Sequence, residues 1–166
     1  MARQSSPATK ICLRPLKRAD VPNLAQLWVA SWQEAMPGID FAARLQWFSN
    51  HLRTLEATGF VTVCAIDSAD SIVGFVSVNP ATAYLDQLAV ASAAKGKGVA
   101  RLLLDEARRI SPQGIVLEVN ADNLRALAFY EREGFEKISE GSNQLSGLKT
   151  FRLRGAGSSE PGCGSD

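Results

Sequence analysis

The chain is short of the residues that most often announce a function. It has three cysteines, Cys12, Cys64 and Cys163, far apart and odd in number, with no CxxC pair and no Cys/His cluster. That spacing argues against a structural zinc site and suits a reducing compartment, the cytoplasm. There is one histidine, His51. Charge of one sign is also missing: 18 basic residues stand against 17 acidic ones, for a net +1. A dedicated nucleic-acid binder carries a basic surplus. No apolar run approaches the roughly 20 residues of a membrane-spanning helix, and Met1–Lys10 lacks the apolar core of a signal peptide. The expectation is a protein with no metal, no nucleic-acid partner and no membrane partner.

What is present is an ordinary globular composition, 166 residues with 46% hydrophobic and 21% charged. That length buries a core in one domain without disulfides or metals. Residues 1–9 are polar and read as a flexible N-terminus. The Gly/Ser-rich residues 155–166 read as a flexible tail. A single domain is expected between them, over 10–154.

Periodicity supplies the elements. A short strand is expected over Ile11–Leu16. Asp20 followed by Pro22 reads as a helix N-cap with proline in the first turn. Leu24, Leu27, Trp28 and Trp32 then share one helical stripe, and Pro37-Gly38 ends it. Asp40 caps a second helix whose face is Phe41, Leu45, Phe48, Leu52 and Leu55, closed by Thr58-Gly59. Phe60–Ile66, Ile72–Val78 and Ala83–Val90 are short β-rich runs with turn-like links, an antiparallel meander. A third helix buries Val99, Leu102, Leu103, Ala107 and Ile110, and Ser111–Gly114 stops it. The strand Ile115–Asn120 follows, so strand–helix–strand implies a parallel pair. Asp122 or Asn123 caps a fourth helix, which runs to Glu133 with Gly134 as a left-handed C-cap. Phe135–Glu140 and Leu148–Leu153 form a closing hairpin. The order β-α-α-β-β-β-α-β-α-β-β defines an α/β (α+β) domain: a mixed central sheet of about seven strands with helices on both faces.

The loop before the third helix carries the first chemistry. Gly96 and Gly98 let backbone N–H groups approach a ligand, the helix dipole adds positive potential, and Lys95, Lys97 and Arg101 add full charges. Together they form a phosphate or pyrophosphate site; the alternative is a solvated loop with scattered lysines. A Walker loop needs Lys-Ser/Thr after its last glycine, and Val99 follows Gly98. A dinucleotide fingerprint needs a third glycine or alanine where Arg101 stands. Neither motif is present. Asp86 lies on the strand leading into this loop and is a candidate base facing the cleft.

Lys95-Gly96-Lys97-Gly98-Val99-Ala100 resembles motif A of the GNAT superfamily of N-acetyltransferases, usually Gln/Arg-x-x-Gly-x-Gly/Ala. Gly98 and Ala100 match. Lys95 replaces the usual Gln or Arg, keeping the charge as a point rather than a fork. Leu117-Glu118-Val119, then Asn123-x-x-Ala126, Tyr130 and Gly134-Phe135, is similar to motif B of the same superfamily at the same spacing. The likeness is close over about Asp86–Phe135 and rests on element order over Ile11–Val78.

The resemblance implies a GNAT-like fold and an acetyl-CoA-dependent N-acetyltransferase. It implies that Leu88, Ala89 and Val90 face the pantetheine arm. It implies that Asn123 hydrogen-bonds the pantetheine or phosphate region, and that small Ala126 lets the cofactor lie close. It assigns Tyr130 to the departing thiolate and Glu118 to the base, with Asp86 as rival and bulk water as the proton acceptor if neither is essential. Val99, Ala100 and Arg101 complete the cofactor set. It gives the acceptor to about Ser31–Phe41 (Trp32, Gln33, Glu34, Met36, Asp40) and Gly141–Gly147, and makes a homodimer as plausible as a monomer. The alternative function is a catalytically inactive acyl-CoA-binding regulatory module of the same fold. His51, beside an apolar helical stripe, reads as a surface or half-buried helix residue. Cys64, inside a strand, reads as an inert core thiol, so attack is expected to be direct, in a ternary complex.

Overall fold

The computed structural model describes residues 10–144 and 147–158. The expectations for residues 1–9, for the end of the tail including Cys163, and for residues 145–146 of the last hairpin lie outside the described residues.

Seven strands and four α-helices follow one another: β1 (Cys12–Pro15), α1 (Val21–Ala35), α2 (Leu45–Ala57), β2 (Val61–Ile66), β3 (Ile72–Val78), β4 (Leu85–Val90), α3 (Val99–Ile110), β5 (Ile115–Asn120), α4 (Leu124–Arg132), β6 (Glu136–Ser142) and β7 (Lys149–Gly155). This is the expected order, with each boundary within a few residues. Strands β1–β4 form one antiparallel sheet in sequence order. Strands β5, β7 and β6 form a second, with β7 in the middle. The expected parallel pair between β4 and β5 is reduced to one bridge, Tyr84 with Val116. Past that bridge the two strands separate, and the sheet forks.

Two cores flank the first sheet, because successive strand residues point to opposite faces. Cys64, Phe75 and Ala89 pack with Leu24, Trp28, Phe48, Leu52 and Leu55 of α1 and α2. Val63, Val76 and Val90 pack with Val99, Leu103 and Ala107 of α3, and this second core continues to Leu117 and Tyr130. Leu102, expected in the buried face of α3, is 42% exposed. Trp28 stacks flat on Phe48 at 4.4 Å between centroids and meets Phe41 edge-on at 5.6 Å.

The helix caps differ from expectation at Asp20 and at Asp40. Asp20 precedes α1 but makes no cap bond. Its carboxylate takes two bonds from the Arg14 guanidinium, at 2.7 and 3.0 Å, and one from the Lys17 N–H. Arg14 holds that carboxyl below its ordinary range. A bidentate guanidinium offers more than an N-terminal N–H does, so the aspartate is drawn away from the helix. Asp40 bonds the Ala43 N–H of the short turn before α2, and Phe41 packs in the core just ahead of α2 rather than on it. Asn123, of the two candidates, caps α4 by accepting from the Ala126 N–H at 3.2 Å. Gly134 is left-handed after α4, at φ 88°.

Strand β4 carries a bulge. Gln87 pairs with Ser77, and the next partner of β3, Val78, pairs with Leu85, so Asp86 is an extra residue. The bulge turns two consecutive polar side chains toward the α1/α2 face. Gln87 accepts from Trp28 Nε1 of α1 at 3.2 Å, and Asp86 meets His51 of α2 at 2.7 Å. Bulges bend and twist the strand that carries them, and this one lies where β4 leaves β5.

Candidate active site

A cleft of about 670 Å³ opens where the sheet forks. Its walls are the last turns of α1 (Ser31, Trp32, Glu34), the end of β4 (Leu88, Ala89, Val90), the loop and first turn of α3, and the first turns of α4. Of the residues expected to hold a cofactor, Leu88, Ala89, Val90, Lys95, Gly96, Gly98, Val99, Ala100, Arg101, Asn123, Ala126 and Tyr130 all line it. Lys97 does not, and its side chain is exposed.

The N-terminus of α3 is built to meet an anion. Gly98 is its N-cap, at φ 80°, and it has no side chain to bond the first N–H groups. Those donors of Val99, Ala100 and Arg101 are left to a ligand, and the helix dipole reinforces them. A Cβ on Gly96 or Gly98 would meet nothing within 4 Å, so the space over the loop is open. Lys95, Arg101, Arg125 and Arg132 also line the cleft. Open backbone, free N–H groups and four cations fit a diphosphate-bearing molecule. Lys95 Nζ lies 3.3 Å from Glu34 Oε2, so Glu34, offered to the acceptor by the sequence, stands on the cofactor loop instead.

Tyr130 lies at the inner end, buried at 7% exposure. Its ring meets Phe129 and Phe135 edge-on, at 5.2 and 5.3 Å. Among the described residues no group hydrogen-bonds its hydroxyl. Burial alone pushes the phenol well above its ordinary value, so it stays protonated and is a donor.

The two candidate bases stand outside this cleft, at the mouth of the fork. Asp86 and Glu118 are each two residues beyond the bridging Tyr84 and Val116. Both charges act on Tyr84, whose phenol is pushed up to about 12 by burial first, then by Glu118 and Asp86. Their surroundings differ. Asp86 Oδ2 accepts from Gln87 at 3.1 Å and meets His51 Nε2, whose ring stacks on Trp47 at 4.7 Å. Glu118 is exposed and has no side-chain partner among the described residues. The role of His51 was missed in the sequence. The available signal was Asp86 itself, since a carboxylate in an apolar strand requires a partner.

Cys64 lies on the far face of the sheet, fully buried, and burial pushes its thiol up to about 12. Among the described residues, no helix is long and apolar enough to cross a membrane.

A sheet forked beside an open helix N-terminus, with a buried tyrosine at the inner end, is the framework of an acyltransferase. Residues 21–135 match the model of the Acetyltransferase (GNAT) family, and the chain belongs to that family. An uncharacterized protein of Mycobacterium leprae (strain TN) is 37% identical over 78 residues, which is 43% of this chain and only 22% of that protein. The chain thus matches less than a quarter of that relative's length. Among solved structures, a GCN5-related N-acetyltransferase from Rhodopseudomonas palustris superposes with a TM-score of 0.75 at 17% identity, over 92% of this chain and 99% of that one. The PaiA N-acetyltransferase from Thermoplasma acidophilum, solved with coenzyme A, gives a TM-score of 0.71 at 18% identity, over 87% and 98%. At these identities the likeness is one of fold.

Proposed function

We propose that the protein moves the acetyl group of acetyl-CoA to a primary amine of a small molecule or peptide, by direct attack in a ternary complex. The observation that carries this reading is the junction of three features at one fork. An uncapped helix N-terminus lies on one side, an unpartnered Tyr130 hydroxyl at the inner end, and an unpartnered Glu118 carboxylate at the mouth.

When bound, acetyl-CoA supplies the thioester carbonyl and a thiolate leaving group. Around it, the N–H groups of Val99, Ala100 and Arg101, with Lys95, hold the diphosphate. Asn123 and Ala126 line the wall beside the arm. Past Tyr84, β4 has no strand on its β5 side, so its outward N–H groups are free to polarise a carbonyl. The amine nitrogen forms the new bond to the carbonyl carbon as the carbon–sulfur bond breaks. A lysine-like amine has a pKa of about 10.4 and must shed a proton. Glu118 takes it, directly or through water, because its carboxylate is free while that of Asp86 is held by His51 and Gln87. Tyr130 donates a hydrogen bond to the departing sulfur. Burial sets its proton further above the thiol value of about 8.5 than an exposed phenol would be, so it stabilises the thiolate rather than protonating it outright. Among the described residues no thiol lines the cleft, which supports direct attack over an acyl-cysteine route. Free Cys12 and Cys64 support a cytoplasmic setting.

The test is thiol release from acetyl-CoA with a panel of amines, aminoglycosides and peptides. Turnover on an amine, lowered about 100- to 10,000-fold in Glu118→Gln, is expected. CoA binding without turnover on any acceptor returns the inactive-module reading.

A further inference from the structure

Glu34 belongs to α1, yet it reaches the loop before α3. Its Oε2 lies 3.3 Å from Lys95 Nζ. The last turn of α1 is therefore tied to the loop at Lys95. Ser92 first, and Lys95 next, hold this carboxylate below its ordinary range, with Arg125 adding a weaker pull. A full negative charge thus sits inside a cleft whose remaining features suit an anion.

Such a carboxylate has two opposite uses. It could orient Lys95 for the diphosphate, or compete with the diphosphate for Lys95. An ammonium is a point charge on a flexible stem and gains little from being aimed. Glu34 and Lys95 both line the cleft, so an entering phosphate meets both charges well within a Debye length of about 8 Å. We propose that Glu34 is a resident competitor, which holds Lys95 until the incoming diphosphate displaces it and so frees the end of α1.

The end of α1 does not move alone. Gln33 Nε2 donates to the carbonyls of Ile39 at 2.7 Å and Pro37 at 3.2 Å, and Gln33 Oε1 accepts from the Phe41 N–H at 3.1 Å. Met36 Sδ accepts from the buried Asn120 of β5 at 3.4 Å. Segment 36–41 is therefore braced to the residue preceding Glu34, and it spans to the other limb of the fork. Release of Glu34 by the diphosphate therefore loosens segment 36–41 with it.

This inference rests on the acetyl-CoA reading for the identity of the ligand, and the experiment separates the two. CoA and, independently, inorganic pyrophosphate are titrated calorimetrically into the wild type, Glu34→Gln, Lys95→Gln and the double variant. Glutamine keeps the length of the side chain and removes only the charge. The expected result is that Glu34→Gln binds both ligands about two- to five-fold more tightly, the worth of an exposed ion pair, and that this gain vanishes when Lys95 is already glutamine. Pyrophosphate binding tightened by Glu34→Gln without any CoA binding sinks the cofactor reading and keeps the competitor. Unchanged or weaker binding of both ligands in Glu34→Gln sinks the competitor and keeps the cofactor. No binding of either ligand to any variant removes both. Amide hydrogen exchange over 36–41 is expected to rise in the wild type on CoA addition, and to be already raised in Glu34→Gln. Exchange that is unchanged in both overturns the coupling of Glu34 to segment 36–41.

Discussion

Replacing Tyr130 by phenylalanine removes one oxygen and leaves the ring. The ring packs edge-on against Phe129 and Phe135, and phenylalanine keeps those contacts. The lost hydroxyl has no protein partner among the described residues, so its removal orphans no buried group. The stability change is therefore under about 1 kcal/mol, and the melting temperature stays within about 3 °C. Catalysis responds differently. A hydrogen bond to a charged sulfur is worth about 1.5–3 kcal/mol. At about 1.4 kcal/mol per decade, kcat falls about 10- to 100-fold. The assay is thiol release at saturating acetyl-CoA and amine, with the melting temperature measured on the same preparation. A kcat within about twofold of wild type at an unchanged melting temperature refutes the thiolate role. A fall in melting temperature of more than about 6 °C refutes the packing argument instead, because the hydroxyl would then be structural.

Three further outcomes are expected. Gly98→Ala forces an alanine to φ 80°, a strain of about 1–2 kcal/mol, and places a methyl group over the anion site. CoA affinity measured by calorimetry should fall about tenfold, while the melting temperature drops by about 5 °C at most; undiminished affinity would remove the loop from the binding site. Cys64, with its thiol pushed up to about 12 and no exposure, should resist a thiol reagent at pH 8 until the protein unfolds. Mass spectrometry showing Cys64 labelled as fast as Cys12 in the folded protein would contradict this. The two tyrosines of the chain, Tyr84 and Tyr130, are both raised, Tyr84 to about 12. An absorbance titration should show no phenolate step near the ordinary value of about 10. Over that range stability should fall as pH rises, because the unfolded chain releases these protons first. A phenolate step near 10 in the still-folded protein would show that the rings are not buried as described.

The readable and unreadable parts of this protein divide by distance along the chain. The seven strands and four α-helices of the described residues were legible, because in all but the exposed β6 the apolar period is carried by the element's own residues. The glycine loop before α3 was legible for the same reason. Gly98, its cap position and the first turn of α3 lie within a few residues, and the whole unit is local. The cap assigned to Asp20 failed because Arg14, on a neighbouring strand, competed for it. The parallel pairing of β4 with β5 failed because the bulge at Asp86 depends on the register against β3.

The sequence by itself determined the elements, their order, the glycine-rich start of α3 and the family. These follow from local propensity and from motifs whose parts are neighbours. Only the tertiary structure decided which charges meet. It set His51 on Asp86, 35 residues away, left Glu118 free, and laid Glu34 of α1 against Lys95 of the cofactor loop. Ion pairs between distant residues form after the helices have docked on the sheet. The docking is driven by apolar area, which is non-directional, and so it brings together charges whose partnership no local pattern records.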